Sequence, residues 1–198
     1  MTIDAVMFDM GGVLVELGPL TDLIGDAPLD ADEFWQRWLT SRAVRDFERG
    51  RVDAATFAAA VVDDLGLSVS AEVFLERFEA WPRGFFAGAE ALVREVAQRC
   101  VTGVVSNTNS RHWHHQRDGA AMRALFERRF LSFELDLIKP DEDYFEYLLA
   151  DLALAPESVL FLDDNQLNVD GARAMGLRAE VVRGPAQARV AVEVHGVL

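Results

Sequence analysis

The sequence contains a single cysteine and few basic residues. Cys100 has no partner for an internal disulfide, and the helical pattern before it predicts a small buried apolar side chain at this position. Lysine and arginine number 19 against 33 aspartates and glutamates, a formal net charge of −14. Because this charge repels phosphate backbones and anionic lipids, we expect neither nucleic acid nor a membrane as a partner. A small anionic ligand is not excluded, since a nearby lysine or metal ion outweighs a distant field.

Long apolar segments are also missing from the chain. No apolar run approaches the length that spans a bilayer, and the first residues lack a basic stretch followed by an apolar region. We therefore expect a cytoplasmic protein. With 198 residues, of which 51% are apolar, the chain is long enough for one core domain with a smaller insertion.

Three short apolar runs, rich in β-branched residues, each end in polar residues; they cover residues 5–9, 101–107 and 158–165. Such runs are typical of a parallel sheet that is covered on both faces. Amphipathic helical stripes lie between and after them, formed by Ala89, Leu92, Val93 and Val96 and by Tyr144, Phe145, Leu148 and Leu149. The alternation predicts an α/β fold with a doubly wound, Rossmann-like parallel sheet.

The gap between the first and second apolar runs is too long for one crossover helix, which needs only about a dozen residues. The gap contains several helical patterns, so we interpret residues 19–82 as a small helical cap inserted after the first strand. Residues 1–18 and 83–198 then form the core. The aromatic residues of the insertion either form its own core or shape a ligand pocket; they are Phe34, Trp35, Trp38 and Phe47.

Polar side chains stand at the end of each predicted strand. Ligands of open α/β sheets bind beyond the carboxyl ends of the strands. We therefore expect one crevice to contain Asp9, Ser106, Asn107, Asp163 and Asp164. A carboxylate can serve as a nucleophile, a group of carboxylates can hold a hard cation such as Mg²⁺, and Ser106, Asn107 and Lys139 can receive an anion.

In these motifs the sequence resembles the haloacid dehalogenase superfamily of aspartate-nucleophile hydrolases. The matching segments are "FDMGGVLVE", "VVSNTN", "IKP" and "FLDDNQLNVDGA". Within the superfamily, the chain is most similar to sugar-1-phosphate phosphatases related to the N-terminal phosphatase domain of soluble epoxide hydrolases. The resemblance implies a Mg²⁺-dependent phosphatase for a small phosphorylated metabolite, for example a sugar 1-phosphate.

The resemblance also implies a role for each motif residue. Asp9 attacks phosphorus and forms an aspartyl-phosphate, which water then cleaves. Lys139 and Ser106, together with backbone amides near Asn107 and Met10, hold the phosphoryl oxygens.

The implied metal site joins the first and fourth motifs. A Mg²⁺ ion there reduces the repulsion between two anions. Its implied ligands are Asp9, the carbonyl of Gly11 and Asp164, with Asp163 binding directly or through water. Asn168, on the following helix, would support this loop.

Most phosphatases of the superfamily carry a second aspartate two positions after the nucleophile, where this chain has Gly11. That aspartate serves as general acid and base, a contribution of about 10²–10⁴-fold. Glu16, a residue of the cap or the substrate itself are the candidate replacements. Glycines at positions 11 and 12 are expected to allow positive φ angles and a close approach of backbone to ligand.

Two other functions remain open at this stage. A hydrolytic 2-haloacid dehalogenase also lacks the second aspartate, because a halide leaves without a proton, but such enzymes need no metal and typically lack the acidic pair. A catalytically weakened protein that binds a phosphorylated ligand is the other alternative. The histidine cluster His112, His114 and His115 is expected to form a solvated or substrate-facing loop rather than a metal site.

Overall fold

The computed structural model describes residues 2–115 and 119–198. Within these residues, five parallel strands form the central sheet in the order β5-β4-β1-β6-β7. Their bounds are β1 Ala5–Phe8, β4 Val101–Ser106, β5 Arg128–Leu131, β6 Val159–Asp163 and β7 Arg178–Val181. The three strands predicted from apolar runs are confirmed as β1, β4 and β6, the centre of the sheet. A separate antiparallel hairpin pairs β2, Val15–Leu17, with β3, Pro82–Phe85.

Helices cover both faces of the sheet, as the α/β prediction requires. Along β1, Val6 and Phe8 belong to one apolar cluster, whereas Ala5 and Met7 belong to another on the opposite face. The helices outside the hairpin are α6 Ala89–Val96, α7 Ser110–His115, α8 Gly119–Leu125, α9 Ser132–Leu135, α10 Glu142–Leu152, α11 Gln166–Ala174 and α12 Gly184–Val194. None of the helices in the described part of the chain is long and apolar enough to cross a bilayer.

Five helices lie between β2 and β3: α1 Leu20–Ile24, α2 Ala31–Thr40, α3 Arg42–Glu48, α4 Ala54–Leu65 and α5 Ala71–Ala80. We call them the helical unit. Four of them start at a residue whose side chain accepts a hydrogen bond from the first turn: Asp30, Ser41, Asp53 and Ser70. They enclose an apolar cluster of their own, in which the Phe47 and Phe57 rings stack at 4.1 Å. The division into a core and a cap at residues 19 and 82 stays a prediction.

Several short elements were not predicted, among them β5, β7 and α1. β5 and β7 lie at the edges of the sheet, and each starts with arginine. Edge strands need not be apolar, so these segments lack the continuous apolar pattern by which a central strand is recognised. α1 has only five residues, too few to show helical periodicity.

Helix α11 packs closely on the loop that carries Lys139. A Cβ atom at Gly171 would lie 2.8 Å from the carbonyl oxygen of Pro140 and 3.2 Å from the Phe145 ring. Because a backbone carbonyl cannot rotate away as a side chain can, this glycine sets the distance between α11 and the loop.

We expect Gly171→Ala to lower the free energy of unfolding by about 1–3 kcal/mol, the cost of overpacking, although alanine favours helix. Gly11→Ala is the control, because a Cβ there would make an ordinary 3.5 Å contact with Leu17. Urea unfolding of both variants measures the difference. Equal stability of the two variants would contradict the packing explanation.

Candidate active site

Three adjacent strands of the sheet place acidic and hydroxyl side chains at one edge. Asp9 directly follows β1, Ser106 ends β4 and Asp163 ends β6. The Asp9 amide donates to the Leu162 carbonyl over 2.8 Å and thereby extends the pairing of β1 with β6. Since β4, β1 and β6 are neighbours and parallel, the three side chains meet beyond their carboxyl ends, as predicted.

Lys139 joins two of the carboxylates at the bottom of the site. Its buried ammonium donates to Asp9 Oδ1 over 2.7 Å, to Asp163 Oδ2 over 2.6 Å and to the Val105 carbonyl over 2.9 Å. Burial by itself disfavours the charged form, but Asp163 and Asp9 outweigh it and raise the pKa of Lys139. All three N–H groups of the ammonium are bonded to protein. A contact between Lys139 and a ligand oxygen therefore requires one of these bonds to be exchanged.

The Asn107 side chain fixes the backbone of Lys139. Its Nδ2 donates to the Lys139 carbonyl and its Oδ1 accepts from the Lys139 amide, both over 2.9 Å. The sequence predicted Asn107 near a bound anion. Asn107 lines the cavity, so this stays a prediction. Its side-chain amide also ties the end of β4 to the loop after α9, a positioning role that was not predicted.

Asp163 is fully buried and its carboxylate already has four donors. Oδ1 accepts from the Asn165 amide over 2.8 Å and from Asn168 Nδ2 over 3.1 Å, while Oδ2 accepts from Asn168 over 3.1 Å and from Lys139. A carboxylate offers about four lone-pair sites. Asp163 thus orients Lys139 and the loop after β6, and Asn168 supports this loop from α11.

Asp9, Asp163 and Asp164 each offer an oxygen, and these oxygens lie within 4.8 Å of one another. Burial, the largest cause, raises the pKa of Asp9 to about 8; Asp163 and Asp164 add to the rise and Lys139 opposes it. Burial and Asp163 likewise raise the pKa of Asp164 to about 6. The raised pKa values show that three ionised carboxylates exceed the charge of the single Lys139 ammonium, an excess that a bound cation would compensate. Hard oxygen donors with such an excess suit a divalent cation.

The structure requires glycine at position 12 but not at position 11. Gly12 has a φ of 74°, and a Cβ atom there would lie 2.6 Å from Asp164 Cγ, so both conformation and space require glycine. The expectation of a positive φ is wrong for Gly11. Its Cβ position makes only an ordinary contact with Leu17. The backbone at Gly11 therefore tolerates a side chain, and what this position lacks is only the carboxylate.

A cavity of about 360 Å³ opens above these residues, within the size range of small-molecule sites. Its floor contains Asp9, Met10, Gly11, Ser106, Asn107, Lys139, Asp164 and Asn168. The side that faces the helical unit is mainly apolar and aromatic, with Val15, Leu17, Trp35, Trp38, Leu39, Phe78, Trp81 and Pro82. The phenylalanines Phe34 and Phe47 lie in the interior of the helical unit instead.

Several polar contacts hold the helical unit over the sheet. Arg45 of α3 forms a bidentate pair with Asp141, at 2.8 and 2.7 Å, and Arg49 bonds the same carboxylate. On the other side of the cavity, Arg111 pairs with Glu79. The loop that carries Lys139 is thereby connected directly to α3.

The histidines lie on helix α7 and not on the predicted loop, because residues 110–115 are helical, and they do not act as one group. His112 is buried, lines the cavity and donates from Nε2 to the Phe78 carbonyl over 2.7 Å. Burial lowers the pKa of His112 to about 4, against the opposing effects of Phe78 and Glu79. His114 is exposed and lies 6.3 Å from the Phe133 ring. The side chain of His115 lies outside the described part of the structure.

Glu16 is not a candidate for the missing acid. It is exposed, and its neighbours on β2, Val15 and Leu17, line the cavity. Successive side chains of a strand point to opposite faces, so Glu16 faces away.

The polar residues that line the cavity and that sequence reasoning missed include Glu48, Thr108 and Arg183. Thr108 Oγ1 is buried without a hydrogen-bond partner, as expected of a group that faces a ligand or water. Thr108 follows the second motif directly, so its proximity to Ser106 was a usable signal. Nothing in the sequence marks Glu48, which reaches the cavity only through the docking of α3.

Comparisons with known proteins agree with this geometry. The family model described as haloacid dehalogenase-like hydrolase matches residues 3–176. A D-ribitol-5-phosphate phosphatase of Bacteroides thetaiotaomicron is 24% identical, over 86% of this chain and 87% of its own. A sesquiterpene phosphatase of Aspergillus oryzae is 26% identical, over 89% and 88%. A HAD family enzyme of B. thetaiotaomicron, solved in complex with magnesium and inorganic phosphate, has the same fold, with a TM-score of 0.71 at 20% identity over 91% and 94%.

The neutral, buried His112 predicts a pH effect on stability. Its pKa lies near 6.5 when unfolded and near 4 when folded, so the unfolded chain binds the proton first as the pH falls. Relative to His112→Gln, the wild-type protein should lose about 3 kcal/mol of stability between about pH 7 and pH 4.

Urea unfolding of both proteins across this range measures the effect. Taking the difference removes the contributions of Asp9 and Asp164, whose raised pKa values act in the opposite direction. If the difference in unfolding free energy between the two proteins did not change with pH, His112 would not be held neutral in the folded state.

Proposed function

Because this chain belongs to the haloacid dehalogenase-like hydrolase family, we propose that it is a Mg²⁺-dependent phosphatase acting on a small phosphate monoester through an aspartyl-phosphate. The observation that carries this proposal is the cluster of Asp9, Asp163 and Asp164 below the cavity, with the Lys139 ammonium bonded to the first two. The phosphatase relatives and the magnesium and phosphate complex of the structural neighbour support it.

Asp9 is the nucleophile in this proposal. It lies at the end of the central strand, and its Oδ1 is held by Lys139, which leaves Oδ2 for attack on phosphorus. The buried Lys139 ammonium keeps positive charge next to the oxygen that becomes bonded to the phosphoryl group. Ser106 and the unpartnered hydroxyl of Thr108 line the same floor and can donate to phosphoryl oxygens.

The chemistry of the donor set fits Mg²⁺, which prefers oxygen ligands. Asp9, Asp164 and the Gly11 carbonyl would hold it, with Asp163 binding directly or through water. When bound, the ion neutralises charge between the carboxylates and the phosphoryl group.

A dehalogenase has less support from the same residues. Departure of a halide needs no cation, and the acidic pair with its supporting Asn168 would then have no chemical use.

We propose that residues 19–82 form a cap that selects the organic part of the substrate. The cavity wall contributed by the helical unit presents aromatic rings, and the Trp35 and Trp81 rings stack at 5.8 Å. Such a wall favours an apolar or ring-shaped leaving group. A sugar 1-phosphate can make apolar contact with this wall only through the C–H face of its ring. An aryl or prenyl phosphate can contact the wall along its whole length.

The first test is hydrolysis of p-nitrophenyl phosphate with Mg²⁺ and with EDTA. We expect turnover that requires the metal and falls by at least about 10³-fold in Asp9→Asn, which keeps the size of the side chain but removes the nucleophile. Metal-independent turnover, an active Asp9→Asn variant, or halide release from 2-chloropropionate in EDTA would contradict the proposal.

The second test concerns the aromatic wall. Trp35→Ala should raise KM for naphthyl phosphate about tenfold, the equivalent of losing part of one ring contact, with little change in kcat. Val73→Ala is the matched control, because Val73 is equally exposed on the helical unit but does not line the cavity. The same pair of variants assayed with glucose 1-phosphate shows which substrate class uses the wall. If Trp35→Ala left KM unchanged for both substrate classes, Trp35 would not be part of the binding site.

A further inference from the structure

The proposed reaction needs a proton donor on the side of the cavity opposite Asp9. In-line transfer places the leaving oxygen across phosphorus from the attacking oxygen. In this fold that side faces the helical unit, because Asp9 lies on the floor. An alkoxide is a poor leaving group without a proton, and Gly11 has no side chain to supply one.

Few described residues that line the cavity can exchange a proton near neutral pH. They are Asp9, His112, Asp164 and Glu48. Asp9 and Asp164 belong to the floor and are used as nucleophile and metal ligand in the proposed function. The Nε2 proton of His112 is bonded to the Phe78 carbonyl. Glu48 remains.

Glu48 is the last residue of α3 and has a suitable position. It lines the main cavity together with Asp9, and a smaller adjoining cavity together with Lys139 and Asn107. The side chain is partly buried, and within the described part of the chain its carboxyl group feels the charges of Lys139 and Arg45 without a hydrogen bond to either. A carboxyl group that faces a cavity in this way is available to bond to water or to a ligand.

Helix α3 is held rigidly against the catalytic floor. Arg45 and Arg49, on either side of Glu48 in the sequence, both bond Asp141, which lies two residues after Lys139. These bonds fix the end of α3 relative to the loop that carries the catalytic lysine. Glu48 is therefore positioned by the same contacts that close the helical unit over the site.

The electrostatic environment of Glu48 agrees with a proton donor. Burial raises its pKa to about 8, against the lowering effects of Lys139 and Arg45. The raised pKa favours the protonated form that a general acid needs before the first step.

We propose that Glu48 is the general acid that replaces the missing aspartate at position 11. This inference rests on the proposed phosphatase function. Asp9 Oδ2 bonds to phosphorus, the bond from phosphorus to the ester oxygen breaks, and that oxygen takes the proton of Glu48 and leaves as an alcohol. The oxygen of a water molecule then bonds to phosphorus and gives a proton to the Glu48 carboxylate, while the bond from phosphorus to Asp9 Oδ2 breaks and leaves its electron pair on Asp9. Inorganic phosphate departs, and both carboxyl groups return to their starting forms.

The test compares leaving groups in Glu48→Gln. For an alkyl phosphate such as phenethyl phosphate, kcat/KM should fall by about 10²–10⁴-fold, the usual contribution of a general acid. For p-nitrophenyl phosphate, whose leaving group departs as a stable anion, kcat/KM should change by less than about threefold. Glu16→Gln, an exposed carboxylate that faces away from the cavity, is the control and should match the wild type with both substrates.

A second variant separates catalysis from structure. Gly11 has space for a side chain. Adding Gly11→Asp to Glu48→Gln should therefore raise kcat/KM for the alkyl phosphate at least about tenfold above the value of Glu48→Gln alone. A structural defect at α3 would not be repaired from position 11.

Each outcome distinguishes this inference from the proposed function. If the wild type hydrolyses neither ester with Mg²⁺, the phosphatase proposal fails. If the wild type hydrolyses p-nitrophenyl phosphate and Glu48→Gln lowers kcat/KM equally for both substrates, or for neither, the phosphatase proposal stands and the role of Glu48 is wrong.

Discussion

The ammonium of Lys139 lies buried between the carboxylates of Asp9 and Asp163, and the geometry of the site depends on this contact. Because these charges are buried, removal of the Lys139 ammonium or of its carboxylate partners would leave an uncompensated buried charge, at a cost of about 3–5 kcal/mol. Two asparagines maintain the arrangement: Asn107 holds the backbone of Lys139, and Asn168 holds Asp163. Strands β1, β4 and β6, the loop before α10 and the start of α11 are thereby linked at one point.

The same loop extends this link to the helical unit. Asp141 follows Lys139 by two residues and accepts hydrogen bonds from Arg45 of α3 and from Arg49 directly after it. The same loop therefore supports the lower and the upper half of the cavity. The lower half supplies carboxylates, a lysine and hydroxyl groups, and the upper half supplies aromatic rings and Glu48. This division suits a reaction in which phosphoryl transfer occurs on the sheet and the leaving group lies against the helices.

The sequence was sufficient where local pattern determines structure. The apolar runs of β1, β4 and β6, with polar residues at their ends, located Asp9, Ser106 and Asp163 before any coordinates. The edge strands β5 and β7 were not predicted, because they are not buried on both sides and so lack a continuous apolar run. Features that depend on tertiary contacts could not be predicted: Glu48 enters the cavity only because α3 docks on Asp141, and the hydrogen bonds by which Asn107 holds Lys139 join distant parts of the chain. The φ angle of Gly11 also depended on the turn as folded.

The most direct measurement is the mass of the intact protein after acid quenching of a reaction with p-nitrophenyl phosphate and Mg²⁺. The proposed mechanism predicts an added phosphoryl group, which peptide mapping assigns to Asp9 and which Asp9→Asn lacks. Turnover with no covalent phosphoryl-enzyme at any time point, or with the phosphoryl group on another residue, would contradict the assignment of Asp9 as nucleophile.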